Sequence, residues 1–203
     1  MSDPNFAIET PRLRISYLEP EDDNHCDFLV ELYNTPEFIA AEGGRPTPIT
    51  TREAARVRLA GRVRDEHARN GYGIYLVSLK PQQQTEEAGA DTPNILVGTV
   101  SLMRGEEPNC YTVPDVGFAF LPAHMRRGYA TEAARALVDY AERELGVTGV
   151  LGLHDPANEA SRGVFRKLGF VDRGTRVLKL FGGVVGSVWT KPGMADDLAV
   201  YGF

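Results

Sequence analysis

Residues 121 to 132 read Leu-Pro-Ala-His-Met-Arg-Arg-Gly-Tyr-Ala-Thr-Glu, and their chemistry is that of an anion site. Gly128 allows backbone angles that a side chain would block. Ala130 keeps the start of the following helix small. The first-turn amides of a helix have no intrahelical acceptor, and the helix dipole favours negative charge beside them. Arg126 and Arg127 add two cationic side chains. The segment Met125-Arg126-Arg127-Gly128-Tyr129-Ala130, with Thr131 behind it, therefore has the make-up of a pyrophosphate cradle built mainly from backbone N–H groups. Taken alone, the same string also fits a plain strand-to-helix turn with its arginines in solvent.

The flanking elements have to place this loop. Residues 113–121 alternate, with Val116, Phe118 and Phe120 on one face and Asp115, Gly117 and Ala119 on the other, as in a strand. The helix that follows repeats Ala134, Leu137, Val138, Ala141 and Leu145 at helical spacing, with Glu132, Arg135, Asp139, Glu142 and Arg143 expected to face away and Gly146 to close it. Arg135 and Asp139 are spaced as an i,i+4 pair. A strand over 147–154, a helix over 158–168 stopped by Gly169, and a weak hairpin over 170–190 broken at Gly182-Gly183 complete the second half. In the first half a strand over 13–18 precedes a helix carrying Phe28, Leu29 and Leu32, which ends near Pro36. A Gly/Pro loop at 43–48 leads to a helix capped by Thr50 or Thr51 and closed by Asn70-Gly71. Arg52, Arg56, Arg58, Arg62 and Arg64 line that helix and read as a solvated, salt-bridged face or as an anion site. Strands follow over 72–79 and 95–103. Between them, residues 80–94 lack apolar periodicity and are expected to form an exposed loop. The order β-α-α-β-β-β-α-β-α-β-β predicts an α/β (α+β) mixed sheet with helices on both faces. Its three middle strands should be antiparallel, and the strand–helix–strand crossover should be parallel.

Bulk properties narrow the class. The 203 residues suit a single domain over 1–203, and a net charge of -6 argues against a nucleic-acid backbone or an anionic membrane as partner. The two cysteines, Cys26 and Cys110, are too few for a disulfide framework and have no metal-ligand spacing. They read as free thiols. The N-terminus lacks an apolar leader, no apolar run is long enough to span a membrane, and the cytoplasm is the expected location. Strings for dinucleotide, nucleotide-phosphate, zinc-protease and serine-hydrolase chemistry are absent. His25, His67, His124 and His154 are scattered, and no metal is expected.

Several segments together resemble the GNAT family of acetyl-CoA-dependent N-acetyltransferases. The family's cofactor motif is Q/R-x-x-G-x-G/A at a strand end and helix start. Gly128 and Ala130 match its last two fixed positions, while Met125 stands where Gln or Arg is usual, a change that a backbone cradle tolerates. The run Val116-Gly117-Phe118 … Arg127-Gly128-Tyr129-Ala130-Thr131-Glu132-Ala133 is similar to the branch containing the ribosomal-protein N-terminal acetyltransferases. So are the opening Glu9-Thr10-Pro11-Arg12-Leu13-Arg14 and the later Asn158-Glu159-Ala160-Ser161 … Phe165-Arg166-Lys167-Leu168-Gly169-Phe170.

This resemblance implies the GNAT-like acyl-CoA N-acyltransferase fold and acetyl-CoA as cofactor. Phe118, Phe120, Met125, Arg126, Arg127, Gly128, Tyr129, Ala130, Thr131, Asn158, Ser161 and Phe165 are then expected to line its site. Asn158 and Ser161 should face the thiol end, and Tyr129 should pack rather than react. The implied reaction is acetyl transfer to a primary amine, on a small molecule or on a protein N-terminus or lysine, by direct attack in a ternary complex. A splayed pair of strands, over 113–121 and 147–154, would admit the thioester and polarise its carbonyl through backbone N–H groups. The family often places a tyrosine seven residues after the motif asparagine as general acid. Here that residue is Phe165, which has no proton to give. Ser161 is the expected substitute, unless it only bonds to backbone. Asp115, two residues before Gly117, is the expected base or amine anchor, unless it is a carboxylate paired to an arginine. His154 is a weaker candidate base. The departures at Phe165 and Met125 keep a second class open, a catalytically weak acyl-CoA-binding module. A monomer or homodimer fits either reading.

Overall fold

In a computed structural model the described residues are 6–80 and 94–203. β1 (Ala7–Glu9) and β2 (Leu13–Ser16) open the chain, followed by α1 (Asp23–Tyr33), α2 (Pro36–Ala41) and α3 (Arg52–Arg58). α3 runs through a π turn at Leu59–Val63 into α4 (Arg64–Asn70). β3 (Ile74–Leu79), β4 (Ile95–Met103) and β5 (Asp115–Phe120) come next, then α5 (Tyr129–Leu145), β6 (Leu151–His154), α6 (Glu159–Leu168), β7 (Val171–Leu178) and β8 (Val184–Thr190). The eight strands form one mixed sheet in the order β1-β2-β3-β4-β5-β6-β8-β7. Every neighbouring pair is antiparallel except β5 and β6, which α5 connects by a crossover. This is the mixed sheet that the sequence predicts.

Both faces are covered. On one, α5 buries Tyr129, Ala133, Ala134, Leu137, Val138 and Ala141 against Val100, Val116 and Phe120, and α6 adds Phe165 and Leu168. The alanines of α5 let its backbone approach the sheet closely. On the other, Leu29 and Leu32 of α1 meet Ala55 of α3, Leu59 and Val63 of the π turn, and Leu76 of β3. The alternation in β5 sends Val116 and Phe120 to the first core and Ala119 to the second.

Local chemistry explains the element ends, including those that differ from expectation. Pro36 does not simply stop α1. It is the first residue of α2, whose N-cap Thr35 accepts from the Phe38 amide, a position where proline's missing N–H costs nothing. β1 is only three residues long and carries little pattern of its own. α5 begins at Tyr129, two residues earlier than the sequence suggests. The π turn has no sequence signature. Arg52 and Arg56 tie α3 to Asp23 and Asp27 of α1, and Arg62 pairs with Glu66, so these arginines form a salt-bridged face. Arg135 bonds the Lys167 carbonyl rather than Asp139, which ties α5 to the end of α6. Both cysteines are free and buried. Most of the segment expected as an exposed loop, residues 81–93, lies outside the described residues.

Candidate active site

The loop between β5 and α5 makes a short 3₁₀ turn (Pro122–His124) and then bends sharply. Arg126 has φ 60°, and among the described residues it alone places a side chain in the left-handed region. Such a conformation is costly for a non-glycine residue and clusters at ligand-binding sites. Gly128 follows at φ 83°. The two left-handed residues, with Arg127 between them, bend the backbone twice within three residues, the kind of turn whose successive amides can converge on an anion. α5 begins on Gly128 with no side-chain cap, whereas α1, α2, α3 and α6 are capped by Asp22, Thr35, Thr51 and Asn158. Its first-turn amides stay free to bind, beside exposed Met125, Arg126 and Arg127. The loop therefore fits a pyrophosphate group.

Two further residues at this loop escape sequence reasoning. Glu132, expected to face solvent, instead accepts from the Thr10 hydroxyl (2.6 Å), the Arg12 amide (3.0 Å) and Arg12 Nε (2.7 Å). Burial works against its charge, but the Thr10 and Arg12 bonds together hold its carboxyl below the usual range. The physical reason for the correction is that β1 and β2 pack against α5, which makes that helix face an interface. His124 lies just before the bend, with a buried Nδ1 that has no partner among the described residues. Its desolvation, and then the nearby Arg127 charge, lower its pKa and favour the neutral ring.

This loop leaves the end of β5, whose ladder with β6 is short. The two strands share a single register pair, Asp115↔Leu151, with the Leu151 N–H bonded to the Pro114 carbonyl at 2.9 Å. Beyond that pair the ladder stops. Backbone groups alternate sides along a strand. Since the Pro114 carbonyl points to β6, so do the N–H and C=O of Phe118 and Phe120, where the ladder has ended. The same count turns the Leu153 backbone toward β5. A slot lined by unpaired peptide groups is thus built into the centre of the sheet.

Asp115 sits at the closed end of this slot. It is 9% exposed, and among the described residues no basic side chain bonds to it. Burial pushes its carboxyl up to about 7, opposed only by its own backbone amide. This excludes the expected alternative of a carboxylate paired to an arginine. Ser161 lies on the first turn of α6, half-buried; its amide bonds the Asn158 side chain at 3.0 Å, and its hydroxyl has no partner among the described residues. The Asn158 oxygen is thus engaged in capping.

Phe165 is 1% exposed. Its ring packs among Phe118, His154, Phe170 and Trp189. Phe120 is likewise in the core, and the Tyr129 ring lies under Arg12. These three aromatic side chains support the slot and the loop from within. His154 is fully engaged: Trp189 Nε1 donates to Nε2 at 2.9 Å, and Nδ1 bonds the Asp155 carbonyl at 2.7 Å. Nε2 therefore accepts and Nδ1 donates, which leaves no nitrogen free to act as a base.

The aromatic stack leaves no room on its strand side. A Cβ added to Gly152 would lie 2.2 Å from Phe165 Cε1. Gly152→Ala should destabilise the protein by about 1–3 kcal/mol, the usual cost of overpacking. Urea unfolding monitored by Trp189 fluorescence would measure it, and an unchanged midpoint would show that the stack yields freely.

A mixed sheet joined at its one parallel step by a single register pair, followed by an uncapped crossover helix, fits a fold that binds a CoA thioester. The model of the acetyltransferase (GNAT) domain matches residues 12–171, and the chain belongs to that family. It is an N-acetyltransferase, with acetyl-CoA as donor. The Bacillus subtilis (strain 168) protein YkkB is 28% identical over 162 residues, covering 80% of this chain and 83% of its own length. The structure of RimL, a ribosomal L7/L12 alpha-N-protein acetyltransferase in complex with coenzyme A, superposes with a TM-score of 0.69 at 18% identity, covering 94% of this chain and 99% of RimL. The ribosomal-protein-S5-alanine acetyltransferase from Vibrio fischeri gives 0.64 at 17% identity, covering 95% and 98%. At these identities the two structures attest the shared fold. Among the described residues no helix is long and apolar enough to cross a membrane, and no group of acidic, histidine and cysteine side chains is arranged to hold a metal.

Proposed function

We propose that the protein acetylates a primary amine by direct attack in a ternary complex, with Asp115 receiving the amine's proton. The observation that carries this reading is the buried carboxyl at the β5–β6 junction, which has no basic partner among the described residues and which burial pushes up to about 7. Acetyl-CoA supplies an activated acyl carbonyl and a thiolate leaving group. The amides of Arg126 to Ala130, with Thr131, hold the pyrophosphate. Met125 flanks them without contributing the charge usual at its position. The Phe118 N–H, unpaired on the β6 side, donates to the carbonyl oxygen where negative charge develops. Asp115, once ionised, accepts a proton from the attacking nitrogen or anchors it as an ammonium. The Ser161 hydroxyl, without a partner among the described residues, donates to the departing sulfur and takes a proton back from water, in place of the phenol that Phe165 lacks.

A protein N-terminus is one member of the acceptor class, supported by the likeness to RimL, whose name describes an alpha-N-protein acetyltransferase. The net charge of -6 suits a cationic amine or a basic peptide. The test is thiol release from acetyl-CoA across a panel of polyamines, amino-sugar amines and peptides, with mass detection of a 42 Da adduct, the mass a single acetyl group adds. Release with none of them would favour a CoA-binding module instead. Ser161→Ala should lower kcat by at least tenfold at unchanged affinity for CoA, since a positioned acid contributes roughly 10²- to 10⁴-fold. An unchanged kcat would remove Ser161 from the chemistry and leave it as part of the α6 first turn.

A further inference from the structure

The segment Thr10-Pro11-Arg12 meets Glu132 across the sheet, more than a hundred residues away in sequence, and the contact reaches the cofactor loop. Arg12 Nε lies 2.7 Å and Nη2 2.6 Å from Glu132 Oε2. The third guanidinium nitrogen, Nη1, donates to the Arg127 carbonyl at 3.0 Å. The guanidinium also lies over the Tyr129 ring, 4.7 Å from its centroid. One side chain therefore touches three points around the bend: the carbonyl before Gly128, the residue after it, and the carboxylate one turn into α5.

We infer that Arg12 is a positioning residue for the pyrophosphate loop: it grips the Arg127 carbonyl and so sets the direction of the Gly128 N–H. The peptide linking Arg127 to Gly128 is planar and trans, so its C=O and N–H point in opposite directions. Fixing the carbonyl toward Arg12 aims the Gly128 amide away from it, into the concavity formed by the left-handed bend. Without that grip, Gly128 has wide backbone freedom, and the peptide plane is free to turn. The guanidinium suits this task because its planar fork can serve the carboxylate and the carbonyl at once, whereas an ammonium is a single point charge. Glu132 holds the fork in place through Arg12 Nε and Nη2, and the Thr10 hydroxyl adds a separate bond to its other oxygen that the fork does not need. An acidic residue at a helix start is usual; here it also carries the strand-to-loop linkage.

The inference rests on the cofactor reading above, and the experiment separates the two. CoA is titrated calorimetrically into wild-type protein, R12M, R12K and T10V, and pantetheine, which lacks the pyrophosphate, is measured alongside by competition. R12M should raise the Kd for CoA about tenfold or more, the scale of a charge-assisted contact, while the Kd for pantetheine stays unchanged. R12K keeps the charge but not the fork, and should remain closer to R12M than to wild type. T10V weakens the Glu132 anchor without touching the Arg127 carbonyl, so it should lower the melting temperature and leave the Kd for CoA within about twofold. Should R12M not fold, the comparison of R12K with T10V makes the same distinction. R12K or R12M binding CoA like wild type, T10V losing as much affinity as they do, or an equal loss for pantetheine would each overturn the grip while leaving the cofactor site intact. Failure of the wild-type protein to bind CoA would overturn both.

Discussion

Gly128→Val should yield a folded protein that gains no thermal stability from CoA. Gly128 has φ 83°, a region that a β-branched residue occupies only under strain. A side chain there would also press on the guanidinium that grips the Arg127 carbonyl, with its Cβ 3.3 Å from Arg12 Nη2. Backbone strain and displacement of Arg12 both act on the proposed pyrophosphate loop, so the loss should be complete. In the wild-type protein, CoA at a hundred times its Kd should add about 2.7 kcal/mol to stability, a shift of several degrees for a chain of this size. Gly128→Ala separates the two causes. It carries the strain of a left-handed non-glycine residue, about 1–2 kcal/mol, but little bulk, so part of the shift should survive. A full CoA-induced shift in Gly128→Val would show that the ligand does not use this loop.

Asp115→Asn should lower kcat by roughly 10²- to 10⁴-fold and remove the rise of kcat with pH. In the wild-type protein burial raises the carboxyl to about 7, so the basic form appears as pH passes through that value. With both substrates saturating, kcat should climb toward a plateau above it. The same shift predicts a stability signature with the opposite trend. The folded protein keeps a proton on Asp115 that the unfolded chain has already released, so this group's stabilisation is full below about pH 4 and is lost as pH rises through about 7. Asp115→Asn removes that dependence and should be more stable than wild type at pH 8, relative to their difference at pH 4. Urea midpoints at the two pH values test the linkage, and the rate profile tests the chemistry. A variant that keeps the wild-type kcat and its rising limb would exclude Asp115 as the base.

What the sequence reveals depends on how far apart the interacting groups lie. The turn into α5 was legible because Gly128, Ala130 and the helix behind them lie within a few residues, whereas Asn158 was expected at the cofactor's thiol end and its capping of α6 was not foreseen, although capping acts over only three residues. The parallel crossover followed from one well-patterned helix between two strands. Glu132 was misjudged because an acidic side chain at a helix start has the same pattern whether it meets water or Arg12. The partner lies about 120 residues away, and only the sheet brings it close. α2 was hidden because a proline ends one helix and starts another with equal ease, and Thr35 had no apolar repeat behind it to mark it as a cap. The electrostatic state of Asp115 follows from burial, which its strand position alone does not fix. Phe165 was correctly seen to lack a proton, but its place in a packed stack needed Phe118, Phe170 and Trp189 from three other segments.

The single register pair between β5 and β6 also divides the sheet mechanically. On one side stand β1 to β5, on the other β6 to β8, each a continuous antiparallel ladder. Across the seam the main chain contributes almost nothing, and the halves are held by side chains such as Phe118 against Phe165 and by the crossover helix. Folded proteins open in cooperative pieces whose borders fall where main-chain bonding is sparse. Amides of β6 and β8 should therefore exchange with deuterium as one group, at a lower opening energy than those of β3 and β4. A ligand lying in the seam bridges the two groups, so it should slow exchange in both, far beyond the residues it touches.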